Sequence, residues 1–139
     1  MPDVNILLNA HRSEAADHVR YAEWVTGLAT SPEPFALSES VLHGFVRVAT
    51  NPRAFAVPST LVDALAFLDQ LLVLPTCQLM RPGPFHWKIF RELCLRGNVR
   101  GKLVADAVHA ATAIESGCEW VTADTDFARF SPPLRWQHL

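Results

Sequence analysis

Five acidic residues stand where the hydrophobic pattern of this chain passes from a short apolar run into helical spacing, or opens a helix: Asp3, Glu39, Asp106 and the pair Asp124 and Asp126. In a chain that alternates strands with helices, such junctions gather at the carboxyl edge of a parallel sheet. Carboxylates brought together repel one another, and a cation shared between them relieves the repulsion. Most of the remaining acids fall on faces that read as solvated. The chain is therefore expected to build a divalent-metal site at a sheet edge.

With 139 residues, half of them apolar, the chain is expected to form one domain over residues 1–139 with a single core. No apolar run approaches the roughly 18 residues of a membrane span, and no basic stretch followed by an apolar one marks a leader. A cytoplasmic protein without membrane contact is expected. Cys77, Cys94 and Cys118 are odd in number and widely spaced, which suits small core residues better than a disulfide framework or a zinc site. The net charge of −2 gives no global attraction to phosphate. Its distribution is uneven, however: Arg81, Lys88, Arg91, Arg96, Arg100 and Lys102 supply half of the twelve Lys and Arg, with Glu92 the only acid among them. Such a stretch is either a solvated helix face or a phosphate-binding surface.

Ser13 is a plausible cap for a helix with Ala15, Val19, Ala22, Val25 and Ala29 at helical spacing. Residues 34–37 read as a strand, and Ser38 as the cap of a helix striped by Val41, Leu42, Phe45, Val46 and Ala49, with Glu39 in its first turn. Pro58-Ser59 opens a helix whose buried side is Leu61, Ala64, Leu65, Leu68 and Leu72. Residues 72–74 form a candidate strand. Helices follow from near Pro84 to Arg96 and from about Lys102 to Ser116, stopped by Gly97 and Gly117. Residues 119–122 read as a strand, and the tail from Leu134 to Leu139 as an edge strand. The fold class is α/β, a central parallel sheet flanked by helices in three layers.

Taken singly, most of the acids have ordinary explanations: Glu39 suits the helix dipole, and Asp3, Asp124 and Asp126 suit turns and caps. Asp106 does not, because it lies within a helix and shares a face with His109, Ala110 and Ala113, small positions that leave its carboxylate facing a pocket. Several carboxylates in one place make an oxygen-rich site suited to Mg²⁺ or Mn²⁺. One such ion, or two about 3.5–4 Å apart, activates water for in-line attack on phosphorus. The reaction class this suggests is phosphodiester hydrolysis.

The chain resembles the PIN-domain nucleases, and among them the VapC toxins of toxin–antitoxin pairs. Pro2-Asp3-Val4-Asn5-Ile6-Leu7-Leu8 is similar to the family's first motif and Ser38-Glu39 to its second. The segment from Leu103 to Ala113 around Asp106 resembles the third, and Val121-Thr122-Ala123-Asp124-Thr125-Asp126-Phe127 the fourth. All four stand in family order. The resemblance implies that Asp3, Glu39, Asp106 and Asp124 are catalytic and carry the metal, with Asp126 a supplementary ligand, and that Asn5 and Thr122 orient them. It implies a Mg²⁺-dependent (or Mn²⁺-dependent) endoribonuclease acting on structured RNA such as transfer or ribosomal RNA, a VapB-type antitoxin as partner, and a homodimer. One departure stands out, since the family's first Asp follows a full strand and here only Met1 and Pro2 precede it. Either that strand begins upstream of Met1, or Val4 to Leu8 takes the strand role and displaces Asp3.

The alternative from another class is a PIN-like module that binds RNA or protein without cutting, against which the complete set of acids speaks. A phosphatase or phospho-receiver on a similar scaffold would need a Lys near the strand ends and, in the haloacid-dehalogenase-like case, an acid where Asn5 stands. A structure-specific DNA nuclease would need further helices. His43 and His109 receive no role, and Trp24, Trp87, Trp120 and Trp136 are candidates for stacking bases only where exposed, with Trp120 expected in the core.

Overall fold

Ser38 ends a strand and starts a helix in one residue. Its hydroxyl accepts a hydrogen bond from Val41 N at 3.3 Å, satisfying an orphan donor of the first turn. In this computed structural model, which describes residues 1–139, Phe35–Ser38 is strand β1 and Glu39–Ala49 helix α3. Val41, Phe45 and Ala49, one turn apart, are buried. The preceding helices are α1 (Val4–His11) and α2 (His18–Thr30). Gly44 permits a close crossing of α3 on α1: a Cβ there would lie 2.8 Å from the Val4 Cγ2 methyl.

Helix α4 (Leu61–Leu72) is capped by Thr60, one residue beyond the expected Pro58-Ser59 opening. Thr60 Oγ1 accepts from Asp63 N at 3.1 Å and donates to Asp63 Oδ2 at 2.6 Å, a reciprocal cap. The core side of α4 is Ala64, Leu68 and Leu71, while Leu61 and Leu65 are exposed. Strand β2 is Cys77–Met80, not the expected 72–74, where α4 ends and turns. It pairs with β1 in parallel, Phe35 opposite Cys77 and Ser38 opposite Met80. Helices α5 (His86–Arg96) and α6 (Leu103–Glu115) pack against each other. Gly117, at φ +65°, turns the chain out of α6. Strand β3 (Trp120–Thr122) pairs in parallel with the tail strand β4 (Trp136–His138), as expected for the tail.

The parallel strands thus form two short pairs, β1 with β2 and β3 with β4. The N-terminus extends the second. Val121 N donates to Met1 O at 2.9 Å and Asp3 N to Val121 O at 2.8 Å, with Pro2 bridged in parallel to Val121. Pro2 has no N–H to donate, which limits further pairing there. The reading of Val4 to Leu8 as a strand is overturned: those residues are helical, with Ile6 and Leu7 fully buried. Asp3 therefore keeps its place at the carboxyl end of an extended segment. Trp120, Phe127 and Phe130 anchor the core under this edge. The three cysteines are free and half-buried against the core, and no helix is long and apolar enough to cross a membrane.

Candidate active site

Asp3 and Asp124 follow neighbouring parallel segments, so the register of Pro2 beside Val121 brings both carboxylates to one edge. Asp3 is buried, and each of its oxygens is engaged. Oδ1 accepts from Val4 N at 2.6 Å, capping α1; Oδ2 accepts from Asn5 Nδ2 at 2.9 Å and from Thr122 Oγ1 at 2.6 Å. Asn5 Nδ2 also lies 3.1 Å from Thr122 Oγ1, and Asn5 Oδ1 accepts from Ala123 N at 3.1 Å. Thr122 Oγ1 accepts in turn from Asp124 N at 3.0 Å. Asn5 and Thr122 therefore fix the Asp3 carboxyl and the start of the Asp124 turn together.

Asp124 caps the 3-10 turn Thr125–Phe130 by accepting from Asp126 N at 2.8 Å. Asp126 faces Arg129 at 3.5 Å. Asp106 stands in the first turn of α6, half-buried. Burial pushes the Asp3 carboxyl up to about 6; the hydrogen bonds from Thr122 and Val4 oppose the rise and the charges of Asp106 and Asp124 add to it. Asp106 is also raised, first by burial and then by Asp124 and Asp126, with Lys102 and Arg129 working against. The charge of Asp124 thus acts on both Asp3 and Asp106. Glu39 stands apart from them: its Oε1 accepts from Arg81 Nε at 2.6 Å, and its charge is not among those acting on Asp3 or Asp106.

No three acidic, histidine or cysteine side chains are drawn in tightly enough to hold an ion as they stand. The donor set nevertheless fits a hard divalent cation, because it is all oxygen, anionic, and includes a buried carboxyl whose proton affinity is raised. A cleft of about 640 Å³ lies elsewhere, beside His11, Arg12, Phe55 and Ser59. A neighbouring one shares Arg12 and Phe55 and reaches Asn5.

His109 and Ser40 were not singled out as functional by their sequence positions. His109 is stacked on Trp120 with ring centroids 5.4 Å apart, and its Nδ1 lies 3.2 Å from Ser40 Oγ. Burial lowers its pKa to about 4, so the ring is neutral. The spacing of His109 three residues after Asp106 was the available signal. Arg81 and Lys102, the two ends of the basic stretch singled out in the sequence, and Arg129, three residues after Asp126, are the cations beside the acids.

The PIN domain model matches residues 1–131. The chain belongs to the PIN-domain family. Its relatives are VapC ribonucleases. It is 43% identical over 136 residues, 98% of this chain and 92% of the relative, to VapC ribonuclease Mb2897 of Mycobacterium bovis and equally to ribonuclease VapC43 of Mycobacterium tuberculosis. It is 39% identical to ribonuclease VapC25 of Mycobacterium tuberculosis, over 93% of this chain and 91% of that one. The fold also matches a chain in the crystal structure of VapBC2 from Rickettsia felis bound to a DNA fragment from their promoter. There the TM-score is 0.70 at 18% identity, covering 100% of this chain and 97% of that chain. The α/β architecture with parallel strands is that of the family.

Proposed function

We propose that this chain is the toxin of a toxin–antitoxin pair, a Mg²⁺-dependent endoribonuclease that cuts structured RNA such as transfer or ribosomal RNA. The observation that carries the reading is the Asp3 carboxyl. It is buried, hydrogen-bonded on both oxygens and raised to about 6 beside Asp106 and Asp124, an arrangement costly for stability and suited to a cation. Asp3, Asp106 and Asp124 hold the ion in this reading, with Asp126 beside them and Glu39 joining from the first turn of α3 once released from Arg81. A divalent ion there neutralises phosphate charge and activates water for in-line attack on phosphorus.

The protein's own groups do the rest. Asn5 and Thr122 keep Asp3 from turning away, and Lys102 and Arg129 offset the acidity near Asp106, where RNA phosphates must approach. Nucleases of this family are metal-dependent, and a VapB-type antitoxin is the expected partner, as in the Rickettsia felis complex. We take the working unit to be a homodimer of single-domain chains.

The experiment is cleavage of total RNA by purified protein with Mg²⁺, compared with Asp3→Asn and Asp106→Asn. Each variant is expected to lose most activity, a fall of at least about 10²-fold for a group acting at the reacting phosphate, while staying folded by circular dichroism. Undiminished cleavage by both removes the assigned site.

A further inference from the structure

Two of the acids assigned to the ion, Glu39 and Asp106, stand on helices that make no extensive contact with each other. Helix α3, bearing Glu39, packs on α1, α4 and β1, whereas α6, bearing Asp106, packs on α5 and the 3-10 turn. One side-chain hydrogen bond joins them directly, Ser40 Oγ to His109 Nδ1 at 3.2 Å. Ser40 follows Glu39 in the chain, and its hydroxyl also lies 3.1 Å from the Ser38 hydroxyl that caps α3. His109 follows Asp106 by one helical turn, so it lies on the same side of α6. Its ring is clamped flat against fully buried Trp120, at 17° between planes, at the root of the strand that delivers Thr122 and Asp124.

We infer that His109 is a positioning residue of the metal site, the link of a Ser38–Ser40–His109 chain that sets the separation of the Glu39 turn from Asp106 and Asp124. The inference rests on the reading that these acids hold a divalent ion. A purely structural role would be served as well by Leu, which would pack on Trp120 without the desolvation cost of an imidazole. The ring is neutral in this setting, so it ties the helices without adding charge to the site. Loosening the tie leaves each acid present but raises the cost of gathering them around one ion.

The test uses His109→Leu, Ser40→Ala, the double variant and His109→Asn, whose side-chain amide can stand near the position of Nδ1. Thermal melts are titrated with Mg²⁺ alone, beside the parent and Asp106→Asn. His109→Leu should fold, with the Mg²⁺ concentration for half-maximal stabilisation raised about tenfold, the lower end of what loss of a ligand's supporting partner produces. Ser40→Ala should do the same and the double variant no worse, since each removes the same bond. His109→Asn should recover part of the response. In RNA cleavage, the loss in kcat for His109→Leu should be restored by excess Mg²⁺, which a misfolded fraction would not allow. A parent response to Mg²⁺ with His109→Leu responding identically overturns the role of His109 alone. A parent that does not respond, or an Asp106→Asn variant that responds like the parent, overturns the metal reading and this inference with it. If His109→Leu does not fold, Ser40→Ala decides on the same criterion.

Discussion

At Asp3 a backbone requirement and a chemical one meet in one side chain. Its Oδ1 caps α1 and its Oδ2 is shared by Asn5 and Thr122, so the group is structural as well as acidic. Its carboxyl binds a proton more tightly in the folded protein, at about 6, than in the unfolded chain at about 3.9. The folded state therefore holds the extra proton between those values. Stability from this group is fully present below about pH 4 and is lost as pH rises through about 6, on the order of 2–3 kcal/mol across the window. In chelator, urea unfolding between pH 4 and 6.5 should show stability falling from this source, and Asp3→Asn should lack that slope. Mg²⁺ should flatten it in the parent by favouring the ionised form. An identical slope in parent and variant would assign the proton to another group.

At the scale of elements, α5 separates what sequence shows from what packing decides. Its boundaries were legible, because Gly97 stops it and Leu93 points inward, but exposure was not. Trp87 is 70% exposed and Phe85 65%, beside Lys88 and Arg91, which makes the helix a candidate platform for RNA bases and phosphates. Neutralising Lys88, Arg91 and Arg96 together should weaken RNA binding and flatten its salt dependence, by up to about 0.7–0.9 in slope per lost phosphate contact. Fluorescence anisotropy of a labelled RNA in chelator, at several salt concentrations, measures both; an unchanged slope makes these residues a solvated or partner-facing surface. Helix α3 and its cap were readable because Ser38 and the Val41, Phe45, Ala49 stripe are local signals. Helix α2 begins at His18, not near Ser13, because the chain leaving α1 is taken up by tight turns, Ala15 N donating to Arg12 O and His18 N to Ala15 O, each at 3.0 Å. Strand β2 was misplaced because Cys77–Met80 lacks an apolar alternation and exists through its pairing with β1. The acids were legible as residues at element junctions. The Arg81 partner of Glu39 and the Ser40–His109 tie were not, since each joins positions far apart in the chain.

For the whole molecule, function and stability oppose each other at the acidic edge. The fold is held by a core that runs from Ile6 and Leu7 through Phe45 to Trp120 and Phe127, and Asp106 adds no hydrogen bond to it. Removing the charge of Asp106 lowers the repulsion felt by Asp3 and, since burial is the chief cause of its own raised pKa, also removes a desolvation cost. Asp106 accepts no side-chain or backbone hydrogen bond that the change to Asn would break, unlike Asp3. In chelator at neutral pH, Asp106→Asn should therefore equal or exceed the parent in stability, by about 0.5–2 kcal/mol. Mg²⁺ reverses the order, because an ion stabilises only the state that binds it: at about 100 times its Kd it adds about 2.7 kcal/mol to the parent. For a domain of this size that is on the order of 10 °C in Tm, and the variant should gain much less. Paired melts with chelator and with Mg²⁺ decide between the two roles of this residue. A variant clearly less stable than the parent in chelator, yet equally responsive to the ion, would make Asp106 a structural residue of α6 and leave the proposed nuclease centre without its helical acid.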